Sequence, residues 1–437
     1  MSTKNSFIVG FMLFAMFFGA GNLIFPPGLG FVSGDYFWLA IAGFVLTGVG
    51  LPLLGVIAGS ISKDGYVESL KVVHPAFAVI FMIIIYLTIG PFFAIPRTAT
   101  TSYEMAVLPF MDNAGALSLL IFSIIFFAAV FLLSYKADSL TNSIGKILTP
   151  FLLITIVALI IRAITLYFGK EPAPIGEEFN VSSPFSVGFT EGYLTMDAIA
   201  AIAFSVVVLN SIRDMGITNR KDLLIGTIKS ASIAAFLLGI IYISLGWIGN
   251  KVDLTPADIG DQNAGTFILT FVSDVAYGQF GMILLAAIVL LACLTTATGL
   301  IVSVSEYFHK IIPKVSYEIF VIIFTLISFI LANQGLEQVI QTSVPVLSII
   351  YPIAITSVIM LFVTYFISSP RLSFQLPVAL VIVISVLGVV HRNGWLEMSW
   401  IESLPFFASS FEWIPFMVIG YIAGYLIGLK KERIQYT

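Results

Sequence analysis

Apolar runs of about twenty residues recur along the whole chain, the length an α-helix needs to cross the hydrocarbon core of a bilayer. No other feature constrains the fold as much. Twelve runs are legible, at roughly residues 6–31, 36–60, 75–103, 116–135, 143–168, 188–212, 223–249, 278–305, 317–332, 338–367, 373–391 and 411–429. They are apolar on all faces and about twice as long as the alternating strands of a membrane β-barrel, so they predict helices. Composition points the same way. Of 437 residues, 59% are hydrophobic and 10% charged, against about 25% charged in an ordinary soluble domain. A soluble chain of this length would divide into two or three domains, each with a polar surface. Twenty Lys and Arg with 24 Asp and Glu cannot cover such surfaces. A soluble enzyme and a disordered chain are therefore excluded, and a net charge of -4 offers no footprint for nucleic acid. The one cysteine, Cys293, lies in an apolar run and excludes a disulfide scaffold or a cysteine-based zinc site. What remains is an all-α polytopic membrane protein.

Turn signals such as Ser33-Gly34-Asp35, Glu171-Pro172-Ala173-Pro174 and Ser368-Ser369-Pro370-Arg371 separate the runs. Residues 264–275 are apolar but too short to span, and they read as a helix lying on the outer surface. The first run follows Met1-Ser2-Thr3-Lys4 but exceeds the apolar region of a signal peptide, so it is expected to remain in the mature protein. Basic residues set the orientation. With the N-terminus inside, the inner loops and ends hold Lys4, Lys63, Lys71, Lys136, Lys146, Arg213, Arg220, Lys221, Lys229, Lys310, Lys314, Arg371, Lys430, Lys431 and Arg433. The outer half holds only Arg97, Arg162, Lys170, Lys251 and Arg392. A multi-pass protein of the plasma membrane with both termini cytoplasmic is expected. The acids Asp64, Glu68, Asp138, Asp214, Asp222, Glu306, Glu318 and Glu432 fall inside and the others outside, except Asp197, which is left as the one unmatched charge at the membrane centre.

Two spans carry breaks. Span 1 has Gly19-Ala20-Gly21-Asn22 in its middle, followed by Pro26-Pro27-Gly28. The glycines read either as a packing motif or as an unwound point. Non-helical backbone in lipid survives only where it is buried in protein or lines a cavity, and the Asn22 amide, which needs partners there, favours the unwound point. Span 6 carries Gly192, Thr195 and Asp197. A central carboxylate costs about 2.5–3.5 kcal/mol on insertion scales, so a structural hydrogen bond, a cation or ammonium ligand, or a proton must offset it. Spans 1 and 6 open two halves of five spans, and an odd count inverts the second half relative to the first. The expected division is residues 1–168, then 188–367, then 373–437 as two additional helices and a cytoplasmic tail. Broken helices at matching positions of inverted halves point to a transporter site at the midplane. Span 8 adds Thr295, Thr296 and Thr298, which either bond back to their own helix or present hydroxyls to a cation.

The segments Gly19-Ala20-Gly21-Asn22-Leu23-Ile24-Phe25-Pro26-Pro27 and Gly90-Pro91-Phe92-Phe93-Ala94-Ile95-Pro96-Arg97-Thr98, with the Thr195/Asp197 stretch, resemble the branched-chain amino acid:cation symporter family of the amino acid–polyamine–organocation superfamily. The resemblance runs over essentially the whole chain. It implies a leucine-transporter-like fold of 12 transmembrane helices, five plus five inverted and two additional. It also implies Na⁺- or proton-coupled uptake of leucine, isoleucine and valine, with no obligate protein partner. Carried over residue by residue, it places the substrate on the backbone of Gly19, Ala20 and Gly21 and on Asn22, Thr195, Asp197 and Ala200. One Na⁺ site would use the Phe17 carbonyl, Asn22 and Thr195. A second would use the Ala15, Phe18 and Ala292 carbonyls with the Thr295 and Thr296 hydroxyls. Asp197 stands where the family fold has a neutral residue, which leaves it a choice between substrate ammonium and proton.

Arg97, with Glu104 two turns on and Glu191 on outer span 6, is either an ion-pair latch of an outer gate or a snorkelling side chain. Tyr86, Tyr103 and Tyr193 fit an aromatic belt or a gate equally. His74, His309 and His391 sit at or beyond span ends, which argues against a metal cluster or a histidine proton relay. The expected function is secondary transport of a zwitterionic aliphatic amino acid with at least one cation. A proton-coupled carrier of another amino acid or small solute is the nearest rival, and a channel or sensor shares the span pattern. An intramembrane enzyme would need a central catalytic set that the spans lack.

Overall fold

The computed structural model describes residues 1–61, 66–111, 115–135, 140–260, 262–429 and 434, and the side chains of all these except 140–149 and 152. Of the residues used above for orientation, Lys63, Asp64, Lys136, Asp138, Lys430, Lys431, Glu432 and Arg433 lie outside the described residues, as does the side chain of Lys146. The side of the N-terminus is called inner below.

Each hydropathy segment falls on helix, which in hydrocarbon satisfies every backbone N–H and C=O within one segment. Span 1 is Thr3–Phe17 and Ala20–Ser33; span 2 is Phe37–Val45, a π-turn at Leu46–Gly50, and Leu51–Gly59. Span 3 is Pro75–Leu87, a second π-turn at Thr88–Phe92, and Ala94–Ala106. Spans 4 and 5 are Ala116–Tyr135 and Leu140–Tyr167. Span 6 is Pro184–Glu191, a tight turn Gly192–Thr195, and Asp197–Asp214, its two parts bent by 46°. Span 7 is Arg220–Lys251, and Ala264–Ile311 holds span 8. Spans 9 to 12 are Tyr317–Ala332, Leu336–Phe366, Leu372–Arg392 and Trp413–Gly428. Among the described residues seven helical stretches are long and apolar enough to cross a membrane, or eight if the bent pair of span 6 counts as one. Thr3–Phe17, Leu153–Tyr167, Tyr317–Ala332 and Trp413–Gly428 are shorter apolar helices.

Glycine decides which spans lie closest. Span 7 runs along span 1, and span 2 runs along span 6. A Cβ on Gly30 would lie 1.9 Å from the Gly246 carbonyl oxygen, and one on Gly249 would lie 2.0 Å from that of Pro27. In the other pair, a Cβ on Gly188 would lie 1.7 Å from the Ala40 oxygen and one on Gly43 2.1 Å from that of Phe185. With no side chain between them the backbones touch, and dispersion replaces the hydrophobic drive that lipid cannot supply. Spans 1, 2, 6 and 7 thus form one bundle. Spans 3, 4, 8 and 9 pack into a second group, span 5 lies on span 8, and spans 11 and 12 pair beside span 10.

Residues 264–275 are helical as expected, and one face of the helix is buried against the protein. They form an arm joined to span 8 at Gly278, whose φ of 63° and ψ of -160° turn the chain. Gly265, Ile268, Leu269, Val272, Ser273 and Ala276 are all buried. Their spacing is that of one helix face, which the overall hydropathy of the segment conceals. The arm packs into the outer half of the protein. A Cβ on Gly265 would lie 1.8 Å from the Ile24 oxygen, and the Thr266 hydroxyl donates to Glu104 at 2.5 Å.

Gly30→Ala tests the span 1–span 7 contact. Overpacking of this kind costs about 1–3 kcal/mol, so the melting temperature in detergent should fall. Gly239→Ala, on the same span 7 with nothing within 4 Å of the added carbon, should leave it unchanged or slightly raised.

Candidate transport site

The break in span 1 falls at Phe18 and Gly19. Phe18 is extended (φ -73°, ψ 96°), as is Gly19 (φ -128°, ψ -165°). Two residues outside the helix leave the turns on either side without partners. The Phe18 N–H still reaches the Phe14 carbonyl at 2.8 Å, but the carbonyls of Ala15, Met16, Phe17 and Phe18 receive no backbone donor. On the other side the Ala20–Ser33 helix opens with amides that have no acceptor within it. The Gly19 N–H donates instead to the side-chain oxygen of Asn22 at 3.0 Å. That bond fixes the amide's orientation, because the oxygen faces Gly19 and the Asn22 Nδ2 must face away.

Span 6 breaks at Met196, which adopts the left-handed conformation (φ 63°, ψ 7°) without being glycine. Such a residue costs about 1–3 kcal/mol and persists only where its surroundings hold it. The next residue, Asp197, begins the inner half of the span. Its carboxylate therefore sits at a helix N-terminus, where the helix dipole favours negative charge. Its N–H donates to the Thr195 hydroxyl at 3.3 Å, and that hydroxyl donates to the Gly192 carbonyl at 2.9 Å.

The two breaks meet side by side. Asn22 Nδ2 donates to Asp197 Oδ2 at 2.6 Å and also bonds the Tyr242 hydroxyl. The Tyr242 hydroxyl in turn donates to the same Asp197 oxygen at 2.7 Å. Asn22, Tyr242 and Asp197 are all buried, so the carboxylate is held by two side-chain donors from spans 1 and 7. Of the expected substrate residues, Gly19, Ala20, Gly21, Asn22, Thr195 and Asp197 thus lie at one locus, and buried Ala200 lies one turn beyond Asp197. Tyr242 was not singled out from the sequence. The signal available was a tyrosine in mid-span, away from the interfaces where aromatic belts sit. The π-turn of span 2 also reaches the site: a Cβ on Gly48 would lie 3.0 Å from the Tyr242 ring and 3.6 Å from the Thr195 methyl.

The residues expected around Na⁺ fall into two groups. The Phe17 carbonyl and the Asn22 side-chain oxygen both flank Gly19, while the Thr195 hydroxyl is engaged within span 6. On span 8, the Thr296 methyl lies 3.7 Å from a Cβ built on Gly19, which sets Thr296 beside the released carbonyls of span 1. The Thr295 hydroxyl donates to the Ala292 carbonyl at 2.8 Å and Thr298 to Leu294 at 2.7 Å, so these two bond back to their own helix. The second group offers oxygen atoms without formal charge, a donor set that suits a hard monovalent cation. Among the described residues no group of three His, Cys, Asp or Glu could hold a metal ion.

Arg97 differs from both readings of it. It is 4% exposed and does not snorkel. Its side chain donates to the Leu194 carbonyl at 2.5 Å and lies 5.1 Å over the Phe25 ring. No ion pair joins it to Glu104, which is bonded to Thr266, or to the half-buried Glu191. The physical reason is a third break, in span 3 at Gly90 (φ -101°, ψ -122°) beside Pro91. It directs the next turn, and Arg97 with it, inward to the level of the span 1 and span 6 breaks. Asp197 is consequently not the only charge at that depth. Outward of this level the arm packs on span 1 at Ile24, and Tyr193 stacks on Tyr351 at 4.2 Å between ring centres. Ala15, Met16, Thr295 and Thr296 on the inner side keep partial exposure.

The branched-chain amino acid transport protein family matches residues 2–431. A protein of Staphylococcus saprophyticus named "Putative branched-chain amino acid carrier protein" is 52% identical over 98% of each chain. One of the same name from Staphylococcus aureus strain MRSA252 is 51% identical over 99% of each. Two solved structures share the fold. The inward-facing conformation of Mhp1 aligns with a TM-score of 0.63 at 12% identity, over 97% of this chain and 91% of that one. Mhp1 as a nucleobase-cation-symport-1 family transporter, closed with bromovinylhydantoin bound, aligns at 0.61 with 15% identity, over 96% and 91%. The fold is therefore leucine-transporter-like.

The shared bonds of the cluster give a coupling test. Tyr242→Phe and Asp197→Asn should each lower stability, by about 1–3 kcal/mol as expected for a buried group losing its partner. The double variant should lose clearly less than the sum, because both act on one network. Melting curves of the purified protein in detergent read this out, and additive losses would mean the two side chains act independently.

Proposed function

The chain belongs to the branched-chain amino acid transport protein family, and on that footing we propose that it is a secondary active transporter taking up leucine, isoleucine and valine with Na⁺ by alternating access. It is a multi-pass membrane protein of a transporter family and not an enzyme. The observation that carries the reading is the meeting of two broken helices around Asn22 and Asp197, where released backbone ends and one carboxylate can serve both poles of a zwitterion. In this reading all twelve helices cross the membrane, with both termini cytoplasmic. Residues 1–168 and 188–367 are the inverted halves, and 373–437 form the additional pair and tail. The close pairs support it: exchanging the halves carries span 1 onto 6 and span 7 onto 2, so one glycine-lined pair maps onto the other. The bundle of spans 1, 2, 6 and 7 would rock against the rest.

In function, Asp197 takes the ammonium or a proton. The Ala15, Phe18 and Ala292 carbonyls with Thr295 and Thr296 hold Na⁺, and the Phe17 carbonyl, Asn22 and Thr195 are the candidates for a further ion. An apolar pocket for the side chain, at about 0.8 kcal/mol per buried CH₂, favours leucine over alanine on the order of 50-fold.

Radiolabelled leucine uptake into proteoliposomes, with Na⁺, Li⁺ and proton gradients varied independently, tests the proposal. Na⁺ should drive saturable uptake and counterflow. Thr295→Ala with Thr296→Ala should remove the Na⁺ dependence, and uptake that follows the proton gradient alone would overturn Na⁺ coupling. Asp197→Asn should reduce transport at least about tenfold, as loss of a charge-assisted contact does, while the protein still elutes as a folded species. Wild-type uptake in that variant would return Asp197 to a structural role.

A further inference from the structure

Arg97 has no assigned role, yet it is among the most deeply enclosed charges in the chain. Its guanidinium lies between the two broken helices. It bonds the Leu194 carbonyl of span 6, rests over Phe25 of span 1, and brings a terminal nitrogen within 2.8 Å of where a Gly21 side chain would begin. Glycine at position 21 is what admits it. Its Nε–H is buried and has no hydrogen-bond partner. A buried N–H left unpaired is costly, and more so on a charged group. The nearest centre of negative charge does not answer it: the Asp197 carboxylate accepts from Asn22 and Tyr242 through one oxygen, Oδ2, and forms no ion pair with Arg97. Beside the guanidinium, the amides opening the Ala20–Ser33 helix also lack acceptors within the helix. The guanidinium and the opening amides of that helix therefore lie side by side, at the level of the two breaks where Asp197 also sits.

We propose that Arg97 binds the carboxylate of the transported amino acid, so that Arg97 and Asp197 form a dipolar clamp that selects α-amino acids by both charges at once. This rests on the transport reading above and adds to it a substrate-binding residue on span 3. A planar guanidinium with a free N–H suits a carboxylate oxygen, and the enclosed site strengthens such a charge-assisted bond. The clamp also accounts for a central site that holds opposite charges without pairing them directly: each waits for one end of the substrate.

Leucine and leucinol separate this role from a structural one, since leucinol keeps the side chain and ammonium but carries a hydroxymethyl group in place of the carboxylate. The readout is ligand-induced thermal stabilisation of the purified full-length protein, titrated with each compound. Wild type should prefer leucine by about 10- to 100-fold, the range expected for a charge-assisted bond. Arg97→Gln should weaken leucine by that factor while leaving the leucinol midpoint within about twofold, so the preference collapses. Arg97→Lys keeps the charge without the fork and should fall between. Equal losses for both ligands in Arg97→Gln, or an undiminished preference for leucine, would overturn the assignment. If Arg97→Gln does not fold, Arg97→Lys decides alone: a reduced preference supports the clamp and a wild-type preference overturns it. Wild-type protein that leucine does not stabilise would sink the transport reading itself, a result distinct from parallel losses in the variants.

Discussion

The Asn22 side chain joins everything that is unusual in this fold. A helix interrupted in the membrane leaves polar backbone that no solvent will satisfy. Here one amide meets part of that need and links the break to its neighbours. Its oxygen takes the stray Gly19 N–H, and its nitrogen ties the unwound point to Asp197 of span 6 and Tyr242 of span 7. Without it, the Gly19 N–H would lose its acceptor and Asp197 one of its two side-chain donors in the same stroke. The break in span 1 and the acid in span 6 are thus two halves of one arrangement, each tolerable because of the other.

Much of this was legible in the sequence. Gly19, Gly21 and Asn22 announced an unwound point because glycine weakens a helix and an amide in lipid demands partners. Asp197 announced a site because an ion at that depth needs a reason. What the sequence hid were features without a local cost. Tyr242 is one tyrosine among 16, and its role comes from the span 1–span 7 contact rather than from its neighbours in the chain. Gly90-Pro91 was visible as a motif, but that it swings Arg97 inward depends on where span 3 lies. The arm at Ala264 is legible as a helix from its hydropathy, and the one-sided spacing from Gly265 to Ala276 is what marks its buried face.

The position of Arg97 also changes the electrostatic picture. Sorted by loops alone, the membrane centre held a single uncompensated acid. With Arg97 drawn to the same level, the enclosed region holds one acidic and one basic side chain, and since they are not paired each still bears a desolvation cost. The two remain apart because Asn22 and Tyr242 hold the carboxylate, while Leu194 and Phe25 hold the guanidinium. In the clamp proposed above, that separation would leave each group for one end of the substrate.

The arm following span 7 straddles a seam. At Gly265 it touches the backbone of span 1, and through Thr266 it is bonded to Glu104 of span 3. These anchors belong to different packing groups, so the arm ties the two groups together on the outer side. In the transport reading proposed above, breaking the Glu104–Thr266 bond would disfavour an outward-open state by about 1–1.5 kcal/mol, about a tenfold shift relative to a protein without that bond. The apparent dissociation constant for a solute approaching from outside would rise by up to about tenfold with that shift. Affinity for external substrate is in this way partly written in two residues, Glu104 and Thr266, that never touch the solute.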